Sequence, residues 1–272
     1  ISGFKSINII KREVNFGIPL NFEDAMKQIF NEYDRVILSE DDNIFSSTFL
    51  NFVNGGLERY ETRKDIFSVS GYNHPYKMPK WYRENAYLRQ DFTGWGVGLW
   101  KDKWHNIDTS IENFNDMFVK NYTKVSKYYK RALSQLISIK DSKDKNTVYV
   151  NYNVVSMNDG LLLLNMIDKN IYSVYPINTK VVNRGLDGSG ARLNKNTNLL
   201  NRVFHRYYLS SNMRYLRQTL SDTSTEYLFN TDLEVNHAIN KFIHRKTRPS
   251  FGFRLLLMFP KPVRKWVKSI FT

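Results

Sequence analysis

The strongest constraint in this sequence is a short β-branched run, Val36-Ile37-Leu38, that ends abruptly in four polar residues, Ser39-Glu40-Asp41-Asp42. Three apolar residues with no alternation fit a strand buried on both faces, as in a parallel sheet covered by helices. The flanks fit the same picture. Apolar residues recur at helical spacing before it (Phe22, Ala25, Met26, Ile29, Phe30), with Asn21 placed to cap the helix. After it, Ser46-Ser47 can cap a second helix through Phe49, Phe52, Val53 and Leu57, and Ile66 to Ser70 reads as another buried strand. Strand, helix, strand predicts a parallel sheet with crossover helices.

Three carboxylates in a row at a strand tip repel one another, and two readings account for them. One is a solvated acidic turn leading into the next helix. The other is a site for a hard divalent cation, Mg²⁺ or Mn²⁺, which takes carboxylate oxygen and fills its remaining positions with phosphate and water. Ligands of open α/β sheets bind at the carboxyl ends of strands, where this triplet lies. With no cysteine in the 272 residues, disulfides, thiolate metal sites and Cys nucleophiles are excluded. The five histidines, His74, His105, His205, His237 and His244, have no ligand spacing and read as surface residues.

Further along, the residues from His74 to Trp104 are aromatic and glycine-punctuated and read as loop. Lys124 to Ile139 and Met157 to Ile167 read as helices, Ile171 to Tyr175 as a strand, and Asn183 to Asn198 as a Gly/Asn-rich loop. The net charge of +14 attracts polyanions, and its distribution is uneven. No acidic residue follows Glu234, while nine Lys and Arg do. Residues 245–272 combine an apolar block, Phe251 to Phe259, with a cationic end carrying Trp266, which is an interfacial pattern suited to an anionic membrane surface. No segment reaches the roughly 18 apolar residues of a membrane span. The expected domains are 1–200, one α/β unit, and 201–272, a helical, basic extension.

In order along the chain, Val36-Ile37-Leu38-Ser39-Glu40-Asp41-Asp42, Phe49-Leu50, Ser68-Val69-Ser70-Gly71-Tyr72-Asn73 and Gly94-Trp95-Gly96-Val97-Gly98-Leu99-Trp100 resemble a glycosyltransferase group. It comprises the GT-A enzymes similar to the N-acetylglucosaminyltransferase of complex N-glycan assembly and their bacterial relatives in surface-polysaccharide synthesis. Asn158-Asp159, then Pro176, Asn183-Arg184-Gly185 and Asp187-Gly188-Ser189-Gly190, continue the resemblance, which covers roughly residues 5 to 195.

The resemblance implies a Rossmann-like, mixed but mostly parallel sheet flanked by helices. It also implies an inverting, metal-dependent transfer of a sugar from a nucleoside diphosphate sugar, UDP-linked, to a glycan or lipid-linked acceptor. Asp42 would ligate Mn²⁺ or Mg²⁺, and Glu40 and Asp41 would contact the ribose or donor sugar. Arg12, Arg184 and Ser189 would bind the donor, Trp95 and Trp100 would stack on sugar rings, and Asp159 would be the catalytic base, with Asp91 in reserve. An N-cap of the following helix is the competing role for Asp159. Such enzymes open with a strand and loop that grip the base. This chain opens at what resembles their second unit, with Arg12, Asn15 and Gly17, so the opening strand is expected to be absent. The expected location is cytoplasmic, on the inner face of the plasma membrane. Two other classes compete: a membrane-associated scaffold without catalysis, and a nucleic-acid-binding protein, which leaves the acidic triplet unexplained.

Overall fold

The computed structural model describes residues 3–74, 77–129, 133, 136, 137, 139, 140, 150, 151, 154, 155, 157–184, 220 and 232–247. Helix α1, Gly17–Glu32, leads into β1, Arg35–Leu38, followed by β2, Asn43–Phe45, α2, Phe49–Arg59, and β3, Ile66–Ser70. Then come β4, Ala86–Arg89, β5, Val97–Trp100, α3, Lys101–His105, and α4, Ile111–Tyr128. A two-residue pair, β6, Val150–Asn151, and β7, Val154–Val155, precedes α5, Asp159–Asp168, β8, Tyr172–Pro176, β9, Val181–Asn183, and α6, His237–Thr247.

The principal sheet has the order β1-β5-β3-β8-β4. Only β3 and β8 pair in parallel; β1 with β5, β3 with β5, and β4 with β8 are antiparallel. The fold is therefore α/β with a mixed sheet, compatible with a Rossmann-like arrangement, and the expectation of a mostly parallel sheet is corrected. The correction comes from β4 and β5, which lie in the stretch read as loop. Each is four residues long and buried throughout, so neither shows the period-two alternation that marks a half-exposed strand. β5 inserts between β1 and β3, which still run in the same direction. The carboxyl ends of β1, β3 and β8 thus open at one end of the sheet, together with the amino ends of β4 and β5.

Helices cover both faces. On one, Phe52, Val53 and Leu57 of α2 pack against Val69, Leu88 and Val174. Gly98 makes this approach possible, since a Cβ there would lie 2.6 Å from Val53 Cγ1 and 2.9 Å from Leu57 Cδ1. On the other, Met26 and Phe30 of α1 and Leu162 and Met166 of α5 pack against Val97 and Leu99, and α4 lies on α5 through Phe114, Phe118, Leu161 and Leu164.

Three helix starts differ from expectation. α1 begins at Gly17, whose N–H donates to Asn15 Oδ1, and Asn21 accepts from Arg12 Nε instead of capping. α2 begins after Thr48, and Gly55 and Gly56 lie inside it. The helix expected over 124–139 starts earlier, at Ile111, capped by Ser110.

Described residues beyond 200 pack onto the elements above. Leu233 is buried with α2, and Ile239 and Ile243 of α6 are buried against Tyr87 and Tyr175. Asn240 Nδ2 donates to Leu88 O, so α6 covers the outer edge of β4. Of the tail 245–272 read as membrane-seeking, residues 245–247 end α6 and residues 248–272 lie outside the described residues. Among the described residues no helix is long and apolar enough to cross a membrane.

Candidate active site

At the tip of β1 the chain turns sharply, with Asn43 N–H donating to Glu40 O and Ser39 Oγ to the same carbonyl. Glu40 and Asp41 are exposed and Asp42 is half-buried. The burial of Asp42 follows from the small sheet formed by β2 and β9, in which Asn43 faces Asn183 and Phe45 faces Val181. Arg184 N–H donates to Asp42 O at 2.9 Å. Asn183 Nδ2 donates to Asp42 Oδ1, and at 3.2 Å to Asn43 Oδ1. The acidic tip is thereby joined to the strand that enters the glycine-rich segment 185–190.

The segment before β5 closes the other side. Trp95 Nε1 donates to Glu40 Oε2 at 3.1 Å, and the indole meets the Tyr72 ring edge-on, centroids 4.9 Å apart. Gly96, with φ +65, lets these segments meet: a Cβ there would sit 2.7 Å from Val181 Cγ2 and 2.9 Å from Phe49 Cε2. Gly71 N–H donates to Gly96 O and Lys180 N–H to Gly71 O, so the ends of β3, β5 and β9 are laced by backbone hydrogen bonds. Three sequence blocks about 55 and 140 residues apart thus meet at one end of the sheet.

Asp159 is the first residue of α5 and is half-buried. The N-cap role that competes for it belongs to Asn158, whose Oδ1 accepts from Gly160 N–H and Leu161 N–H. α5 ends in the turn at Lys169-Asn170 and feeds β8 at its amino end, so the start of α5 points back to the end of the sheet where the acids lie. Met157 N–H donates to Glu23 Oε1, which places that start beside α1.

Asp91 is built differently. Its Oδ2 lies 3.0 Å from Arg89 Nη2 and 3.3 Å from His74 Nε2, and its Oδ1 accepts from Phe92 N–H. Burial would raise the carboxyl, but the Arg89 guanidinium and His74 outweigh it and hold Asp91 down at about 2. A general base works best with a pKa near the operating pH, so Asp91 is a poor reserve for Asp159.

Other expected site residues are elsewhere. Arg12 braces the start of α1, paired with Asp24 and lying over the Phe16 ring. Trp100 is at the far end of β5, 2% exposed, with Nε1 donating to Leu57 O and Lys103 Nζ 3.5 Å from its ring centroid. It is a core residue, and no sugar reaches it. Arg184 is exposed beside Asp42. Ser189, with Gly185, Gly188, Gly190 and Arg192, lies outside the described residues.

The histidines also divide. His105 and His237 are exposed, and His205 lies outside the described residues. His74 and His244 are half-buried: His74 faces Asp91, and His244 stacks on Tyr128 at 4.4 Å, where burial lowers it to about 4.

Among the described residues no group of three or more His, Asp or Glu is arranged to hold a metal ion on its own. The tip offers oxygen donors only, which suits Mg²⁺ or Mn²⁺ bound by one or two carboxylates and completed by phosphate. The β2–β9 pairing was missed in the sequence, although Val181-Val182 is a β-branched signal for it. No family model matches the chain, and comparison with curated proteins finds no match.

Proposed function

We propose that the chain is a GT-A-type, inverting glycosyltransferase that moves a sugar from a UDP-sugar to a glycan or lipid-linked acceptor. The observation that carries this reading is the meeting of Asp42, Asn183-Arg184 and Trp95 at the carboxyl end of β1. These residues come from separate parts of the sequence and bring carboxylate, amide, cation and indole together.

In this reading Asp42 presents oxygen to Mn²⁺ or Mg²⁺, which when bound would neutralise the departing diphosphate. Glu40, held by the Trp95 indole, and Asp41 contact the ribose or donor sugar. Arg184 and Ser189 bind the diphosphate. Asp159 takes the proton of the acceptor hydroxyl as its oxygen bonds to the anomeric carbon and the bond to the diphosphate oxygen breaks. Residues 245–272 hold the enzyme to an anionic membrane surface.

Release of UDP from a panel of UDP-sugars in the presence of Mn²⁺ tests the proposal. Wild type is expected to turn over at least one donor, and Asp159→Asn to bind it equally well while losing transfer by about a hundredfold or more. Full turnover in Asp159→Asn would move the base elsewhere, and no release from any donor would count against the assignment.

A further inference from the structure

One aromatic residue is displayed where packing does not need it. Tryptophan is highly buried on average, and Trp100 and Trp104 are buried here, yet Trp81 is 55% exposed. It sits in a tight turn in which Tyr82 N–H donates to Pro79 O at 3.0 Å, so that Lys80 and Trp81 are the two central residues. The turn is anchored from below. Met78 and Tyr82 pack against Tyr87, Tyr175, Ile239 and Ile243, and Tyr82 Oη donates to Ala86 O at 2.7 Å. Trp81 stands edge-on to the Tyr82 ring, 6.1 Å between centroids, with its remaining surface in solvent. Lys77, Lys80 and Arg83 on the same segment are exposed, against one acid, Glu84.

The topology gives this turn a place. It enters β4, whose amino end lies at the same end of the sheet as the acidic tip. In the order β1-β5-β3-β8-β4 the two are separated by four strand spacings, about 19 Å at about 4.8 Å each. A span of that length suits an extended acceptor lying across the strand ends.

We propose that Trp81, with Lys77, Lys80 and Arg83, forms a distal acceptor subsite for an acidic glycan. The indole receives the C–H face of a pyranose ring, and the cations receive the carboxylate or phosphate groups along the chain. The assignment of the ligand as acceptor rests on the transferase reading, while the binding surface itself does not. A pre-anchored turn suits this role because little ordering cost falls on binding.

Isothermal titration of the full chain with a hyaluronan hexasaccharide, with neutral chitohexaose and with phosphatidylglycerol vesicles tests it. Wild type binds the acidic sugar more tightly than the neutral one. Trp81→Ala weakens that binding about tenfold, Trp81→Phe retains most of it, and the triple change of Lys77, Lys80 and Arg83 to Gln removes the preference for acid. Vesicle binding stays unchanged in all of these variants. Equal sugar binding by wild type and Trp81→Ala, no sugar binding by wild type, or loss of vesicle binding alone would overturn the proposal, the last pointing to a lipid surface. UDP titrations with Mn²⁺ on the same proteins separate the two ideas. Sugar binding that follows Trp81 without any UDP binding sustains the subsite and sinks the transferase reading, and the converse sinks the subsite alone.

Discussion

The two sides of the sheet treat carboxylates in opposite ways. At the β4 side Asp91 is enclosed, its side chain 19% exposed, between Arg89, 2% exposed, and His74. At the β1 side Glu40 and Asp42 accept from neutral donors, the Trp95 indole and the Asn183 amide, and Glu40 and Asp41 reach solvent. An enclosed charge with a fixed counter-charge is part of the architecture. The acids crowded at the strand tip are the ones that the proposed function assigns to a cation and a diphosphate.

The largest expected effect separates these roles by stability. Arg89→Met leaves Asp91 buried without its main counter-charge and is expected to cost about 3–5 kcal/mol. Asp42→Ala removes one of the two acceptors of the buried Asn183 amide and is expected to cost only about 1 kcal/mol. Urea denaturation of both variants measures this, and equal losses would erase the distinction.

A smaller effect sharpens the comparison from the sheet between the two regions. Gly98→Ala forces a methyl group onto Val53 and Leu57 and should destabilise by about 1–3 kcal/mol by pushing α2 away. The Asp91 ion pair, on the opposite face, should keep its pH signature in that variant; its loss would show that the regions are not independently supported.

The pH dependence is the finest probe. Asp91 is held at about 2, below its ordinary 3.8, so the stability it contributes is complete above about 4 and disappears as pH falls through about 2. His244 is lowered from 6.5 to about 4 because the fold holds it neutral. The unfolded chain binds that proton first, so this contribution is present above 6.5 and is lost as pH falls from 6.5 towards 4. His244→Phe should flatten stability between pH 6.5 and 4 and leave the loss between 4 and 2 intact. A profile unchanged by the substitution would contradict the burial argument.

Much of the β1 side was legible in the sequence and little of the β4 side was. Ile66–Ser70 matched its strand to the residue, and Val36-Ile37-Leu38 differed only by Arg35, because apolar runs between polar turns leave few alternatives. β4 and β5 were hidden because strands buried on both faces lose their alternation, and Tyr87 and Arg89 look like loop residues until Tyr175 and Asp91 are seen to face them. Asn158 displaced Asp159 as the helix cap, since either side chain satisfies the same local pattern and only geometry separates them. Trp100 belongs to the same Trp- and Gly-rich block as Trp95 but points into the core, because Trp95 precedes β5 and Trp100 ends it. Trp81 carried a signal, an aromatic among Pro and Lys residues, that reads as an ordinary surface turn without its anchoring neighbours.

Titration of UDP into the full chain, with and without Mn²⁺, on wild type and Asp42→Ala, tests most directly whether the open acids serve a cation and a diphosphate. Binding by wild type that requires Mn²⁺ and vanishes in Asp42→Ala is the predicted result. Binding that ignores the metal and survives the substitution would contradict it.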